Sequence, residues 1–265
     1  MLEVYHEHTS VCAAKVRFAL EEKGLPWSGH LLDLSLGESH TPEYLKLNPL
    51  GVVPTLVHDG TVIIESTIIN EYIEDTFSDT PLRPADSAER ARMRLWTKQL
   101  DDSIHSAVGV VTFCIAYRYQ RLNKPREEIE ELLAAYVDVA KRDRHRDILS
   151  HGIDAACFEP ALRRFQKLLV DIESALDEKP WLAGGTFSLA DIGFAPYIVR
   201  LDLLQLAHMW DDLPNFSDWY ARLGERPAFR KGVVDWNDAA PDSVSLMEHY
   251  GRECHPRIQA ILSSK

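Results

Sequence analysis

The pattern of apolar and polar positions changes character once along the chain. Over the first 77 residues, strand-like and helix-like runs alternate, as in an α/β unit. LEVYH at residues 2–6 reads as a short strand, and residues 11–23 then repeat Val16, Ala19, Leu20 and Lys23 at helical spacing. Gly24 and Pro26 end that helix. A second strand is predicted around Trp27 to Leu34, helical turns in TPEYLKLN, and a hairpin in VVPTLVHDGTVIIES, with Asp59-Gly60 as its two-residue turn. Ser66 is the expected N-cap of a helix that carries Ile69, Tyr72 and Ile73 on one face. The predicted order is βαβαββα.

SDTPLRPADS, residues 78–87, breaks the pattern with two prolines and no periodicity, and reads as a linker. Only helical patterns follow. Helices are expected over 87–121, 126–150 and 159–178, and another after Ser188, where Ser188 and Asp191 fit an acidic capping box and Phe187 and Ile192 a hydrophobic staple. DLPNFSDWYARLGERPAF adds one more. The predicted domains are 1–77, a linker at 78–87, an all-helical domain at 88–235, and a tail at 236–265 of no clear pattern.

Charge narrows the partners. With 41 acidic against 29 basic residues the net charge is -12, a field that repels nucleic acid and anionic membrane surfaces. Apolar runs such as VGVVTFCIAY are too short to span a bilayer, and MLEVYHEHTS lacks the make-up of a signal peptide, so a cytoplasmic protein is expected. The four cysteines, 12, 114, 157 and 254, have neither zinc-site nor C-x-x-C spacing and read as free thiols. His6 and His8 in HEH lack a third ligand at suitable spacing, and no metal is expected.

Three stretches could carry chemistry. Pro54 cannot donate to a sheet, so it opens a strand or lies on an edge, and Val53 before it could present its main chain to a strand-like ligand. Glu65-Ser66 joins an acid to a helix start, a pair suited to an amino-acid zwitterion or simply to a capped helix. HTSVCAAKVRFALEEKG sets Ser10 and Cys12 at the mouth of the first helix, where each is either catalytic or ordinary: a cap, and a small buried residue.

With VVPTL, the acid-serine pair and WLAGGTFSLADIGFAPYI in this order, residues 1–235 resemble the cytosolic glutathione transferases. The resemblance implies a thioredoxin-like domain followed by a helical bundle, glutathione as co-substrate, a small electrophilic acceptor and a homodimer. It implies that Val53, before a cis Pro54, pairs with the cysteinyl unit of glutathione. Glu65 and Ser66 would hold the γ-glutamyl end, and His40 would reach the glycyl carboxylate. Val52 stands where many members have Lys or Gln. Ser10, five residues before Lys15, matches the activating residue of the serine and cysteine classes, and Phe113 and Tyr117 fall where the family lines its acceptor pocket.

A hydroxyl donating to the thiolate is worth about 1.5 to 3 kcal/mol, or roughly one to two pKa units. The implied function is therefore transfer of the glutathione thiolate to an apolar, aromatic electrophile. S-x-C and the charged segment near 122–150 look like the tetrachlorohydroquinone dehalogenase branch, in which a cysteine resolves a glutathionyl intermediate, a role open to Cys12. LRPADSAERARMRLWTKQLDD looks like the bacterial β-etherase branch. A non-catalytic ligand-binding homologue is a further alternative.

Overall fold

The computed structural model describes residues 1–134 and 138–263. The chain divides into two compact units, residues 1–100, 175–198 and 215–241 in the first, and 101–174, 199–214 and 242–265 in the second.

The first unit is built on a four-stranded sheet. β1 (Leu2–His6), β2 (Trp27–Leu31), β3 (Thr55–His58) and β4 (Thr61–Ile64) stand in the order β2-β1-β3-β4. β1 runs parallel to β2 and antiparallel to β3, which pairs with β4 through the expected hairpin. Asp59 and Gly60 both have positive φ, 48° and 84°, the backbone a type I′ turn needs. α1 (Val11–Glu22) crosses between β1 and β2, α2 (Pro42–Leu47) follows Thr41 as its N-cap, and α3 (Ser66–Thr76) follows β4. Leu2, Val4 and Leu56 from the sheet pack with Val16 and Leu20 from α1 and Ile69 and Ile73 from α3 as one buried cluster. Each such side chain is worth about 1.5 to 3 kcal/mol of transfer free energy.

A buried ion pair ties α1 to the end of α3. Lys23 Nζ lies 2.6 Å from Glu74 Oε2, both nearly inaccessible, and donates to the carbonyls of Phe77 and Thr80 at 2.7 Å. Glu74 in turn accepts from the Leu82 N–H at 2.9 Å, fixing the segment expected as linker.

After Asp86, which caps it by accepting from Ala88 and Glu89, α4 spans Ser87–Gln99. α5 (His105–Thr112) and α6 (Arg118–Leu122) follow, with π-helical turns at Leu100–Ile104 and Phe113–Tyr117. The expectation of one helix over 126–150 is corrected. α7 covers Arg126–Ala134, and Asp138, in extended conformation, caps a new helix, α8 (Val139–His151), by accepting from Ala140 and Lys141; residues 135–137 of the expected helix lie outside the described residues. α9 (Phe158–Ala175), α10 (Leu189–Leu203) and α11 (Pro214–Gly224) complete the expected helices.

The capping box is present. Ser188 Oγ accepts from Ala190 N–H, and Asp191 Oδ2 accepts from Ser188 N–H at 3.0 Å. The tail has more order than its pattern suggests. A short turn, α12 (Pro227–Phe229), a π turn (Arg230–Val234) and α13 (Asp235–Asp238) lead to α14, which spans Pro241–Ser263. No helix among the described residues is long and apolar enough to cross a membrane.

Candidate active site

The register of the sheet gathers three of the sequence-predicted features at one end. β1 ends at His6 and its chain continues into the loop that holds Ser10. Tyr5 pairs with Thr55, so Val53-Pro54, just before Thr55, stands across from that end of β1. Thr55 pairs with Ile64, and Glu65-Ser66 follow directly.

Ser10 precedes the first helical residue. Its backbone is extended (φ −62°, ψ 115°) and its Oγ accepts from the Ala13 N–H at 3.2 Å, so it is the N-cap of α1. Since Ser10 stands outside the helix, helical periodicity does not set it opposite Cys12. A hydroxyl that accepts through a lone pair still has its O–H to donate. Cys12, one turn position further in, is half-buried, and its Sγ lies 3.8 Å from the hydroxyl of Tyr197, within reach of a sulfur hydrogen bond.

Lys15 is buried and donates to Thr67 Oγ1 at 3.3 Å, with its ammonium 5.8 Å from the centre of the Tyr197 ring. The positive group five residues after Ser10 therefore belongs to the contact between α1 and the start of α3.

The Val53-Pro54 bond is cis. The preceding peptide is tied down by side chains the sequence did not single out. The Val52 carbonyl accepts from Tyr44 Oη at 2.7 Å and Asn48 Nδ2 at 2.8 Å, and both side chains also reach Thr55 Oγ1. Burial pushes the Tyr44 phenol up. The signal for this clamp was present in TPEYLKLN, where Tyr44 and Asn48 are four apart on one helix face. Val52 itself is half exposed, an aliphatic side chain where a donor would be useful.

Ser66 is not the N-cap expected for it. α3 begins at Ser66, and the cap position falls to Glu65, whose φ of 68° is a left-handed value and whose side chain makes no capping bond. The turn at Glu65 points the chain into the helix in one step, which leaves Ser66 as the first helical residue and nine-tenths buried. The pair still joins a carboxylate to the positive end of an 11-residue helix.

His40 closes a short turn, Glu38–His40, with Nδ1 3.1 Å from Ser39 Oγ. Its ring lies on Gly51, where a Cβ would crowd Nε2 at 3.0 Å and the φ of 62° would strain any other residue, so the position favours glycine.

Phe113 and Tyr117 belong to the second unit, on the π turn Phe113–Tyr117. Their rings meet edge to face at 5.7 Å; the Arg200 guanidinium lies over Tyr117 at 5.6 Å and donates to Thr112 Oγ1. Phe113 also borders an apolar cavity of about 30 Å3 with Ile129, Leu133, His145 and Ile148. Tyr119 stacks on Tyr250 with ring centres 3.5 Å apart.

His6 is buried and holds its Nδ1 3.3 Å from Arg17. Burial first, then the Arg17 charge, press its imidazole down to about 3, so it is neutral and accepts from the guanidinium. Among the described residues, no group of three or more His, Cys, Asp or Glu is placed to hold a metal ion.

Two family models match the sequence: the glutathione S-transferase N-terminal domain over residues 9–76 and the glutathione S-transferase C-terminal domain over residues 126–222. Protein LigF of Sphingobium sp. (strain NBRC 103272 / SYK-6) is 29% identical over 238 residues, 87% of this chain and 92% of that protein. The tetrachloro-p-hydroquinone reductive dehalogenase of Sphingobium chlorophenolicum is 28% identical over 244 residues, 88% of this chain and 96% of that one. The crystal structure of β-etherase LigF from Sphingobium sp. strain SYK-6 superposes with a TM-score of 0.77 at 29% identity, covering 87% of this chain and 98% of that chain.

Proposed function

This chain belongs to the glutathione transferase family, and from that premise we propose that it binds glutathione at the end of the first unit's sheet and transfers the thiolate to an apolar, aromatic electrophile. The observation that carries this reading is Ser10. It is the cap residue of α1, placed at the sheet end where cis Val53-Pro54 and Glu65-Ser66 also lie.

Val53 offers its main chain to the cysteinyl unit, Glu65 its carboxylate to the γ-glutamyl ammonium, and Ser66 the start of a helix to the γ-glutamyl carboxylate. His40 is the proposed partner of the glycyl carboxylate. The Ser10 O–H donates to the sulfur, and the first turn of α1 adds its dipole in the same sense. Ser10→Ala should lower the rate of conjugation about 10- to 150-fold, the equivalent of about 1.5 to 3 kcal/mol. Glutathione affinity should stay within about threefold. Unchanged turnover would remove Ser10 from the mechanism.

The contact between Cys12 and Tyr197 favours a second reading, in which Cys12 completes a reductive reaction. Its thiolate would attack the sulfur of a glutathionyl-aromatic adduct, forming a Cys12-glutathione disulfide while the aromatic carbon takes a proton. A second glutathione would then release glutathione disulfide and restore the thiol. The relative named as a reductive dehalogenase makes this chemistry a specific option for the present chain.

The acceptor would meet Phe113 and Tyr117. A homodimer is proposed as well, and Ile68 on α3 and Leu95 on α4, 57% and 68% exposed on the two helices that the Glu71–Arg94 ion pair joins, are apolar positions a second copy would cover. Sedimentation at micromolar concentration tests it. A reducing, cytoplasmic setting suits four cysteines that are all free thiols.

A further inference from the structure

Arg17 is wholly buried, and no carboxylate faces its guanidinium at salt-bridge distance among the described residues. Its partners are instead main-chain carbonyls. Nη1 donates to Glu7 O and Nη2 to His8 O, both at 3.0 Å, and Nε donates to Gly232 O at 3.0 Å. Nη1 also lies 3.3 Å from His6 Nδ1, and the Trp236 ring covers the guanidinium at 4.9 Å. Burial brings the guanidinium down to about 9, and it stays charged at neutral pH.

These contacts converge on the three residues that lead into Ser10. Glu7 and His8 give their carbonyls to Arg17, while Thr9 is held from the other side by the Glu7 carboxylate, which accepts from its N–H at 2.9 Å and its hydroxyl at 3.1 Å. The far anchor is rigid too. A Cβ at Gly232 would stand 2.7 Å from the main-chain N and Cα of Phe18, so the turn Arg230–Val234 lies directly on α1. Trp236 in addition meets His6 edge-on at 4.6 Å and His8 at 5.7 Å.

We propose that Arg17 is the positioning residue of Ser10: one planar cation locks the Glu7–His8 carbonyls against the Gly232 turn and so fixes where the Ser10 hydroxyl stands. This rests on the reading of Ser10 given above. A planar fork suits the task, because four partners in different directions must be met at once; a lysine ammonium keeps the charge but has no such fixed geometry. The groups facing the guanidinium are His6, neutral by burial, His8 through its carbonyl, Glu7, whose charge favours the cation, and Trp236. Arg17 acts on the thiolate through the loop, and the test separates that from any effect on the sulfur that does not pass through Ser10.

Bound glutathione is titrated by its thiolate absorbance in Arg17→Lys, Ser10→Ala and the double variant, with calorimetry for affinity and thermal denaturation for folding. Arg17→Lys should raise the apparent thiol pKa by about one unit, a tenfold loss of thiolate well below that pKa, with affinity within about threefold. In the Ser10→Ala background it should add no further shift. A shifted pKa in Ser10→Ala beside an unmoved one in Arg17→Lys overturns the role of Arg17 alone. An unmoved pKa in Ser10→Ala overturns the reading of Ser10 and this inference with it. An equal shift of Arg17→Lys in both backgrounds shows an effect on the sulfur that does not pass through Ser10 and overturns positioning. Should Arg17→Lys fail to fold, Trp236→Leu uncovers the guanidinium without removing it and should give a smaller shift of the same sign; no shift there overturns the proposal.

Discussion

Ser10 has a capping role and a proposed catalytic one, and substitution can separate them. As N-cap it accepts from the Ala13 N–H, a bond worth about 1 kcal/mol of stability; in the proposed mechanism it also offers its O–H to sulfur. Ser10→Asp keeps an acceptor at the cap and favours the helix dipole, but has no donor when ionised and sets a like charge beside a thiolate. It should therefore denature within about 0.5 kcal/mol of the parent and yet bind glutathione with its thiol pKa above that of free thiol. A lowered thiol pKa in this variant would show that the cap geometry alone activates the sulfur. Cys12 separates by product. Cys12→Ser should leave simple conjugation intact and stop a reductive reaction at the glutathionylated aromatic, which mass spectrometry would detect; full reduction by the variant would end the second reading. The Ser10 position was legible because a cap is a local device, written within three residues. Arg17 was not legible as anything but a helical basic residue, because its third carbonyl and its aromatic cover come from positions 232 and 236, more than 200 residues on.

At the scale of elements, the same division holds between what is local and what is not. The hairpin turn at Asp59-Gly60 and the Ser188 to Asp191 box were readable because their partners are one to three residues apart. The start of α3 was misplaced by one residue because Glu65 takes a left-handed φ, which sequence assigns to glycine or asparagine. The start of a new helix at Asp138 fell inside LLAAYVDVA, an apolar stretch with no glycine or proline to mark a stop, where one aspartate as a cap looks the same as any other surface acid. The most consequential element contact left out by the pattern is the Lys23–Glu74 pair, which sews the end of α1 to the end of α3 and to the Phe77–Leu82 segment. Glu74→Ala leaves the Lys23 ammonium buried with only two carbonyls and frees the Leu82 N–H, so unfolding should become easier by about 3 to 5 kcal/mol. Replacing both residues, Lys23→Met with Glu74→Leu, removes the uncompensated charge and should recover most of that loss in denaturant titrations. If the single variant is within about 0.5 kcal/mol of the parent, a measured surface-like pair would replace this account.

At the scale of the whole molecule, two buried groups contribute to the response to acid with opposite sign. Burial pushes the Asp191 carboxyl up to about 6, against hydrogen bonds from Leu182, Trp219 and Ser188 that favour its charged form. The folded chain therefore holds a proton on Asp191 between its ordinary pKa near 3.8 and about 6 where the unfolded chain does not. Through that window stability falls as pH rises, by up to about 1.4 kcal/mol per unit. His6 works the other way. Its imidazole is held down to about 3 from 6.5, so between those values the unfolded chain carries the extra proton, and stability rises with pH at up to the same slope. Between about pH 4 and 6 the two nearly cancel, a balance no composition or net charge could reveal because both groups are buried by residues distant in sequence. Asp191→Asn removes one side of it. Relative to the parent at each pH, this variant should gain stability from pH 4.5 to 5.5 by about 1.4 kcal/mol, whatever its absolute loss from the disturbed capping box. All other carboxylates titrate alike in both proteins and drop out of the difference. Denaturant titrations at the two pH values measure it, and parallel pH profiles for parent and variant would show that Asp191 is ionised throughout, its hydrogen bonds outweighing its burial.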